Sequence, residues 1–310
     1  MKKHAEKLLR DVELRDLRRL TAGQVHHRAP AWAPGGRWLS MELGEGDGTC
    51  RLICDGKGRP ARVLEGPAEG GASFSPDGTL AYGRRVGATL EIWQLDSGSH
   101  TPRRLLGGDG RLYRDPAFSQ DGRWLCYAAD DPAHPGGPTR LWLYDVRRAV
   151  HVPVLPAEPE LHLTHPAWTP AGDALFCEGS NPRGTSILAI DLAGGSLRQV
   201  TEPEERYRRP APLGNDLLLV ERALASGTSE LVLLDLHGGG VHCRRLTPAQ
   251  RCAREPALVR RKGALLVAFA MMCRADKDEP QRYEVYVGRI TGLRRRLSRS
   301  GTESRGSAEA

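Results

Sequence analysis

Short apolar runs of four to seven residues recur along the chain, each bounded by polar or glycine-containing turns, and no stretch keeps the 3.6-residue period of a long amphipathic helix. The runs fall into a repeating order. A Pro-Ala-aromatic segment comes first, as in Pro30-Ala31-Trp32 and Pro166-Ala167-Trp168, and a tight turn follows at Gly35-Gly36, Asp77-Gly78, Asp121-Gly122 or Ala171-Gly172. Asp-Gly and Gly-Gly suit the positive-φ positions of a hairpin. A second run is apolar on both faces, as in Trp124-Leu-Cys-Tyr127 and Leu217-Leu-Leu-Val220. A third ends in Asp (Asp55, Asp96, Asp145, Asp191 and Asp235), and a basic fourth segment closes the unit.

Aligned copies begin at Pro30, Ala72, Pro116, Pro166, Pro210 and Pro256, so the spacings are 42, 44, 50, 44 and 46 residues. Several short strands per unit at such a period predict a radial all-β repeat. Strands apolar on both faces fit blades sandwiched between neighbours, and a sixth unit without a polar cap favours a closed ring over an open stack. The expected fold is therefore all-β, a six-bladed β-propeller with four-stranded blades. Residues 1–14 are expected to be a leader, a short helix or disordered, with 15–298 a single propeller domain and 299–310 a disordered tail.

Two segments compete for one outer strand. Either 14–21 supplies it to the last blade and clasps the ring, or 292–298 completes that blade and 14–21 packs beside it. The longest expansions within units are 130–139 and 274–281.

The phrase Ala72-Ser-Phe-Ser-Pro-Asp-Gly78, followed by an apolar strand, a strand ending in Asp96 and the basic segment to Leu106, resembles the TolB-like β-propeller repeat. Copies at Pro30 and Pro166 match well, the copy at Pro116 carries Gln120 in place of proline, and those at Pro210 and Pro256 keep the Pro-Ala pair and strand pattern. The resemblance covers about nine-tenths of the chain and implies the fold. It also extends to propeller domains of prolyl-oligopeptidase-like peptidases, but these 310 residues contain no Gly-x-Ser-x-Gly nucleophile elbow. The expected function is that of a binding or scaffold propeller without catalysis of its own, engaging a protein partner or a small anionic ligand. The alternative is an enzyme acting on an acidic carbohydrate or a phosphorylated substrate at the channel mouth.

Composition changes this picture only modestly. Lys and Arg number 45 against 38 Asp and Glu, a formal charge of +7 spread through every unit. A nucleic-acid module would concentrate that charge beside stacking aromatics, and aromatics are 5% of the chain. No nucleic-acid or membrane partner, no cofactor and no metal are expected, and the chain is expected to be a monomer. Seven scattered cysteines do not form a disulfide framework; Cys126 and Cys177 read as small buried hydrophobes. The first residues lack the apolar core of a signal peptide, from which a cytoplasmic location is expected.

Candidate chemistry gathers where each unit enters its first strand. Arg28, Arg114, Arg208 and Arg254 stand two positions before the aligned proline, and four guanidinium groups at a channel mouth could hold carboxylate or phosphate oxygens. Their alternative is pairing with Asp115, Glu205 or Glu255, or exposure to solvent. His27 and His165 lie at the same end and join them as candidate ligand-binding residues; no catalytic or metal-binding residue is expected. The third-strand aspartates read as turn caps and Trp32, Phe74, Phe118 and Trp168 as core between blades.

Overall fold

In the computed structural model, which describes residues 9–22, 25–44, 48–131, 134–156, 160–237, 240–273 and 282–293, six four-stranded antiparallel sheets form a six-bladed propeller. Blades 1 to 5 are residues 27–64, 68–106, 113–153, 162–199 and 207–245, each running from innermost to outermost strand in chain order. Blade 6 takes three strands from residues 253–291, and Glu13–Arg19 supplies its outermost strand. That strand pairs antiparallel with Arg282–Thr291, Glu13 opposite Thr291 and Arg19 opposite Tyr286. Of the two closures the sequence left open, the first is the one adopted: an N-terminal segment clasps the ring. The inner strand of each blade lies against that of the next, and the inner strand of blade 6 against that of blade 1.

Six apolar clusters fill the six gaps between blades. The doubly apolar second strands explain them, because Leu125 and Cys126, or Leu218 and Leu219, point to opposite faces and are buried on both. Cys126 and Cys177 are fully buried, and burial pushes both thiols well above their ordinary pKa. Trp32, Phe118 and Trp168 are buried between blades, and Trp168 Nε1 donates to Ala117 O of the preceding blade at 2.9 Å.

The third-strand aspartates cap turns, as their spacing suggests. Asp55 accepts the Lys57 and Arg59 amides at 2.8 and 3.0 Å, and Asp145 accepts those of Arg147 and Arg148, both at 3.0 Å. Part of the 130–139 expansion continues the hairpin ladder of blade 3, with Asp130 opposite Thr139 and Asp131 opposite His134. Segment 274–281, the tail and most of the leader lie outside the described residues. Within the leader, Leu9 and Val12 are buried in the cluster between blades 5 and 6.

Candidate functional site

Every inner strand breaks its pairing register at the same place, just before the aligned proline. In five blades the residue there is the extra residue of a β-bulge, and in blade 2, where Ala72 replaces the proline, the break spans residues 69–71. The residue before the aligned position adopts the left-handed region in all six: Ala29 (φ 45°), Gly71 (78°), Asp115 (54°), His165 (50°), Arg209 (49°) and Glu255 (57°). Only glycine takes this conformation freely, so five of the six blades hold a strained residue at this position.

A bulge turns its amide out of the ladder, and that donor needs an acceptor. At five of the six junctions a carboxylate of the preceding blade accepts it. Glu255 Oε2 takes the Ala29 amide at 2.5 Å, Glu42 Oε1 that of Gly71 at 3.4 Å, Asp115 Oδ2 that of His165 at 3.2 Å, Glu178 Oε1 that of Arg209 at 2.7 Å and Glu221 Oε2 that of Glu255 at 3.3 Å. Glu42, Glu178 and Glu221 share one register position on their second strands; blade 2 has Gly83 there. A Cβ on Gly83 would stand 1.8 Å from Glu69 O, so the backbones approach too closely for any side chain.

Positive groups sit among these carboxylates. Arg209 lies 3.4 Å from Glu255 and 3.9 Å from Glu221. Burial works against its charge, yet Glu255, Glu221, Glu178 and Asp115 around it prevail and hold its pKa above the ordinary value. His165 has Nδ1 3.1 Å from Glu178 and Nε2 3.6 Å from Asp115. Arg51, fully buried, bonds Glu42 at 2.9 Å, Ser40 Oγ at 3.2 Å and Gly71 O at 3.3 Å. Burial raises the pKa of Glu42, opposed by Arg51, and raises that of Glu221, opposed by Arg209. These acids and bases thus tie neighbouring blades together around the axis. Among the described residues no cluster of His, Cys, Asp or Glu is arranged to hold a metal ion.

The residues singled out from sequence occupy this neighbourhood unequally. Arg28 and Arg208 stand opposite Glu42 and Glu221 in their ladders, and Arg114 opposite Ala128. Arg28 and Arg114 each bury Nε without a hydrogen-bond acceptor. Arg254 is engaged: its guanidinium lies 5.1 Å from the centre of the Tyr283 ring, and Nε is 3.3 Å from Ser229 Oγ and 3.9 Å from Glu221. Arg208 is exposed. His165 is part of the charge network, whereas His27 is buried 3.2 Å from Glu284 of blade 6. The periodic signal marked the residue two before the proline and missed the bulge residue beside it. A carboxylate closing three of the second strands (Glu42, Glu178, Glu221) is the signal that could have found the network.

No family model matches the chain. A stretch of 65 residues, 20% of this chain and 7% of the other, is 38% identical to the probable dipeptidyl-aminopeptidase B of Tuber melanosporum (strain Mel28). Among solved structures, TolB from Acinetobacter baumannii aligns with TM-score 0.63 and 16% identity over 77% of this chain and 58% of that one. The putative TolB from Agrobacterium tumefaciens aligns with TM-score 0.61 and 16% identity over 90% and 98%. A Mycobacterium tuberculosis puromycin-hydrolyzing peptidase aligns with TM-score 0.55 and 17% identity, the match spanning 80% of this chain and 43% of the peptidase. The chain has a TolB-like six-bladed β-propeller fold. These matches overturn the expectation of a cytoplasmic location: TolB proteins are periplasmic, so the fold gives no support for that compartment.

Proposed function

We propose that this chain is a binding propeller without chemistry of its own, taking an anionic group of a small ligand or a protein partner at the end of the channel where the inner strands begin. The observation that carries this reading is the pair of buried, unaccepted Nε donors on Arg28 and Arg114. A buried donor left unpaired costs about 1–3 kcal/mol. Both half-buried guanidinium groups lack an ion-pair partner within 4.0 Å among the described residues, so an anion that meets their open face is held by charge-assisted bonds. Blade 2, between them, presents Gly70 and Gly71, and a Cβ on Gly70 would stand 3.1 Å from Leu90 Cδ2 and 3.3 Å from Arg114 Cβ. The absence of side chains there keeps the arginines approachable. Support for the non-catalytic part comes from the carboxylates, each already bonded to a neighbouring blade's amide, and from the fold shared with TolB.

Calorimetric titration with phosphate and with propane-1,2,3-tricarboxylate, at two salt concentrations, tests the reading. Replacing Arg28 and Arg114 by Ala together is expected to weaken binding about tenfold or more and to flatten its salt dependence, without a matching loss of melting temperature. Equal affinity in wild type and double variant would remove these arginines from the site.

A further inference from the structure

At the other end of the inner strands, the turns that lead into the second strands surround the opposite mouth of the channel. Blades 2 to 5 each place an aspartate in that turn: Asp77, Asp121, Asp173 and Asp216. Blades 6 and 1 depart from this. Their turns read Arg260-Arg261-Lys262-Gly263 and Pro34-Gly35-Gly36-Arg37, with cations and no carboxylate.

Local geometry gathers these cations into one patch. Arg261 reaches across the junction and donates from Nη1 to Gly36 O at 3.2 Å. A Cβ on Gly36 would stand 3.4 Å from Arg261 Cδ, and one on Gly56 would stand 3.3 Å from Arg261 Nη1. The Gly56 amide bonds Arg37 O at 3.0 Å, and Arg18 Nη2 donates to Gly56 O, which brings Lys57 and the clasp strand to the same place. Arg18, Arg37, Lys57, Arg260, Arg261 and Lys262 are all exposed. None has its charged group within 4.0 Å of a carboxylate among the described residues: Asp55, whose carboxylate caps the Lys57 amide at 2.8 Å, is ion-paired with Arg59, and elsewhere on the surface Arg85, Arg103, Arg123 and Arg289 are paired.

Six neighbouring cations with no ion-pair partner among the described residues repel one another, and an anionic partner is what removes that repulsion. We infer that the turn face of blades 6 and 1 docks a carboxylate-rich segment of a partner protein. Guanidinium groups fit carboxylates bidentately and with geometric selectivity. A single-stranded nucleic acid is the less suited occupant: it needs exposed rings to stack on, the one aromatic in the patch, Trp38, already carries Arg37 5.3 Å from its ring centre, and no aromatic is exposed among the described residues. This surface lies at the opposite end of the inner strands from Arg28 and Arg114, so it stands apart from the anion site proposed above.

The test uses the full chain and a fluorescein-labelled decaglutamate peptide, followed by fluorescence anisotropy at low and moderate salt. The triple reversal Arg37→Glu, Arg260→Glu, Lys262→Glu leaves Arg18 and Arg261 to hold the blade junction. It is expected to weaken binding about tenfold or more and to flatten the salt dependence. A control reversal of the same charge on blades 3 and 4, Arg147→Glu, Arg148→Glu, Arg198→Glu, is expected to weaken it by less than about threefold. Thermal melts report folding; if the first reversal melts early, Arg37→Gln, Arg260→Gln, Lys262→Gln takes its place. No binding by the wild type at low salt, or equal weakening by the two reversals, would overturn the assignment. So would an oligothymidylate of equal charge that binds more tightly than the peptide through the same residues.

Discussion

At the scale of the residue, what matters is how a single bulge turns side chains and amides toward the axis. Glu178 illustrates the consequence: it accepts the Arg209 amide at 2.7 Å and lies 3.1 Å from His165 Nδ1, so its removal takes the acceptor from the Arg209 amide of blade 5 and a charge partner from His165 of blade 4. Glu178→Ala is expected to cost about 1–3 kcal/mol in urea unfolding. Arg85→Ala breaks an ion pair with Glu69 whose side chains are 37% and 47% exposed, and should cost under about 0.5 kcal/mol. Equal losses in the two variants would mean that the channel carboxylates do not brace the ring. This network was hard to see in the sequence for a physical reason. The bulge demands a backbone conformation and an acceptor, not a residue type, so the six positions hold Ala, Gly, Asp, His, Arg and Glu and show no periodicity. The arginines two residues earlier did repeat, yet Arg254 is spent on Tyr283 and Ser229 and His27 on Glu284.

At the scale of the element, the turns carry much of the chain's sensitivity to acid. Asp77 accepts the Ser75 hydroxyl and the Thr79 amide, Asp121 accepts Ser119 Oγ at 2.5 Å and the Arg123 amide at 3.0 Å, and Asp173 accepts Thr169 Oγ1 at 2.7 Å. Those bonds hold all three carboxyls below their ordinary pKa, and the Arg59 and Lys57 amides bring Asp55 to about 2. A carboxyl with a depressed folded pKa stabilises the fold above its unfolded value near 3.8, and that contribution disappears as pH falls through the folded value. Glu42 and Glu221, raised by burial, act in the opposite sense: protonation favours the folded state, and that advantage is lost as pH rises through their folded values. Stability is therefore expected to fall between about pH 4 and pH 2, and less steeply in Asp77→Asn, Asp121→Asn, Asp173→Asn, as read from urea melts across that range. Identical slopes would mean that the turn carboxylates do not control acid unfolding. These elements were legible because a hairpin turn does demand residue types: Asp-Gly signalled the turn, and Asp at a strand end signalled its cap. Expansion 130–139 is rich in Asp, Pro and Gly, a composition that signals an insertion and hides its pairing, yet cross-strand bonding extends the blade 3 ladder into it.

At the scale of the whole molecule, ring closure depends on a strand distant in sequence. Six apolar interfaces hold only if each blade has a neighbour on both sides, and the interface between blades 5 and 6 borrows Leu9 and Val12, 4% and 1% exposed, from the N-terminal segment. The path of that segment is tight. A Cβ on Gly292, whose φ is +81°, would stand 1.8 Å from Asp11 O, and one on Gly288 would stand 2.6 Å from Leu14 Cδ1. Pattern alone could not choose between 14–21 and 292–298 because both are basic segments with apolar positions, and the decision comes from burial: Leu9, Val12 and Leu20 anchor the first. If the clasp closes the ring, Leu9→Ala with Val12→Ala empties its anchor while leaving the paired strand in sequence. Large-to-small changes of this kind cost about 2–5 kcal/mol for the leucine alone. The melting temperature should then fall on the order of 10 °C for the double variant. Gly292→Ala should act on the same joint by obstructing Asp11, and hydrogen exchange should rise first in 13–19 and 282–291, with blades 2 and 3 protected until global unfolding. An unchanged melting temperature in both variants, or exchange that rises evenly around the ring, would show that blade 6 holds its neighbours without the N-terminal strand.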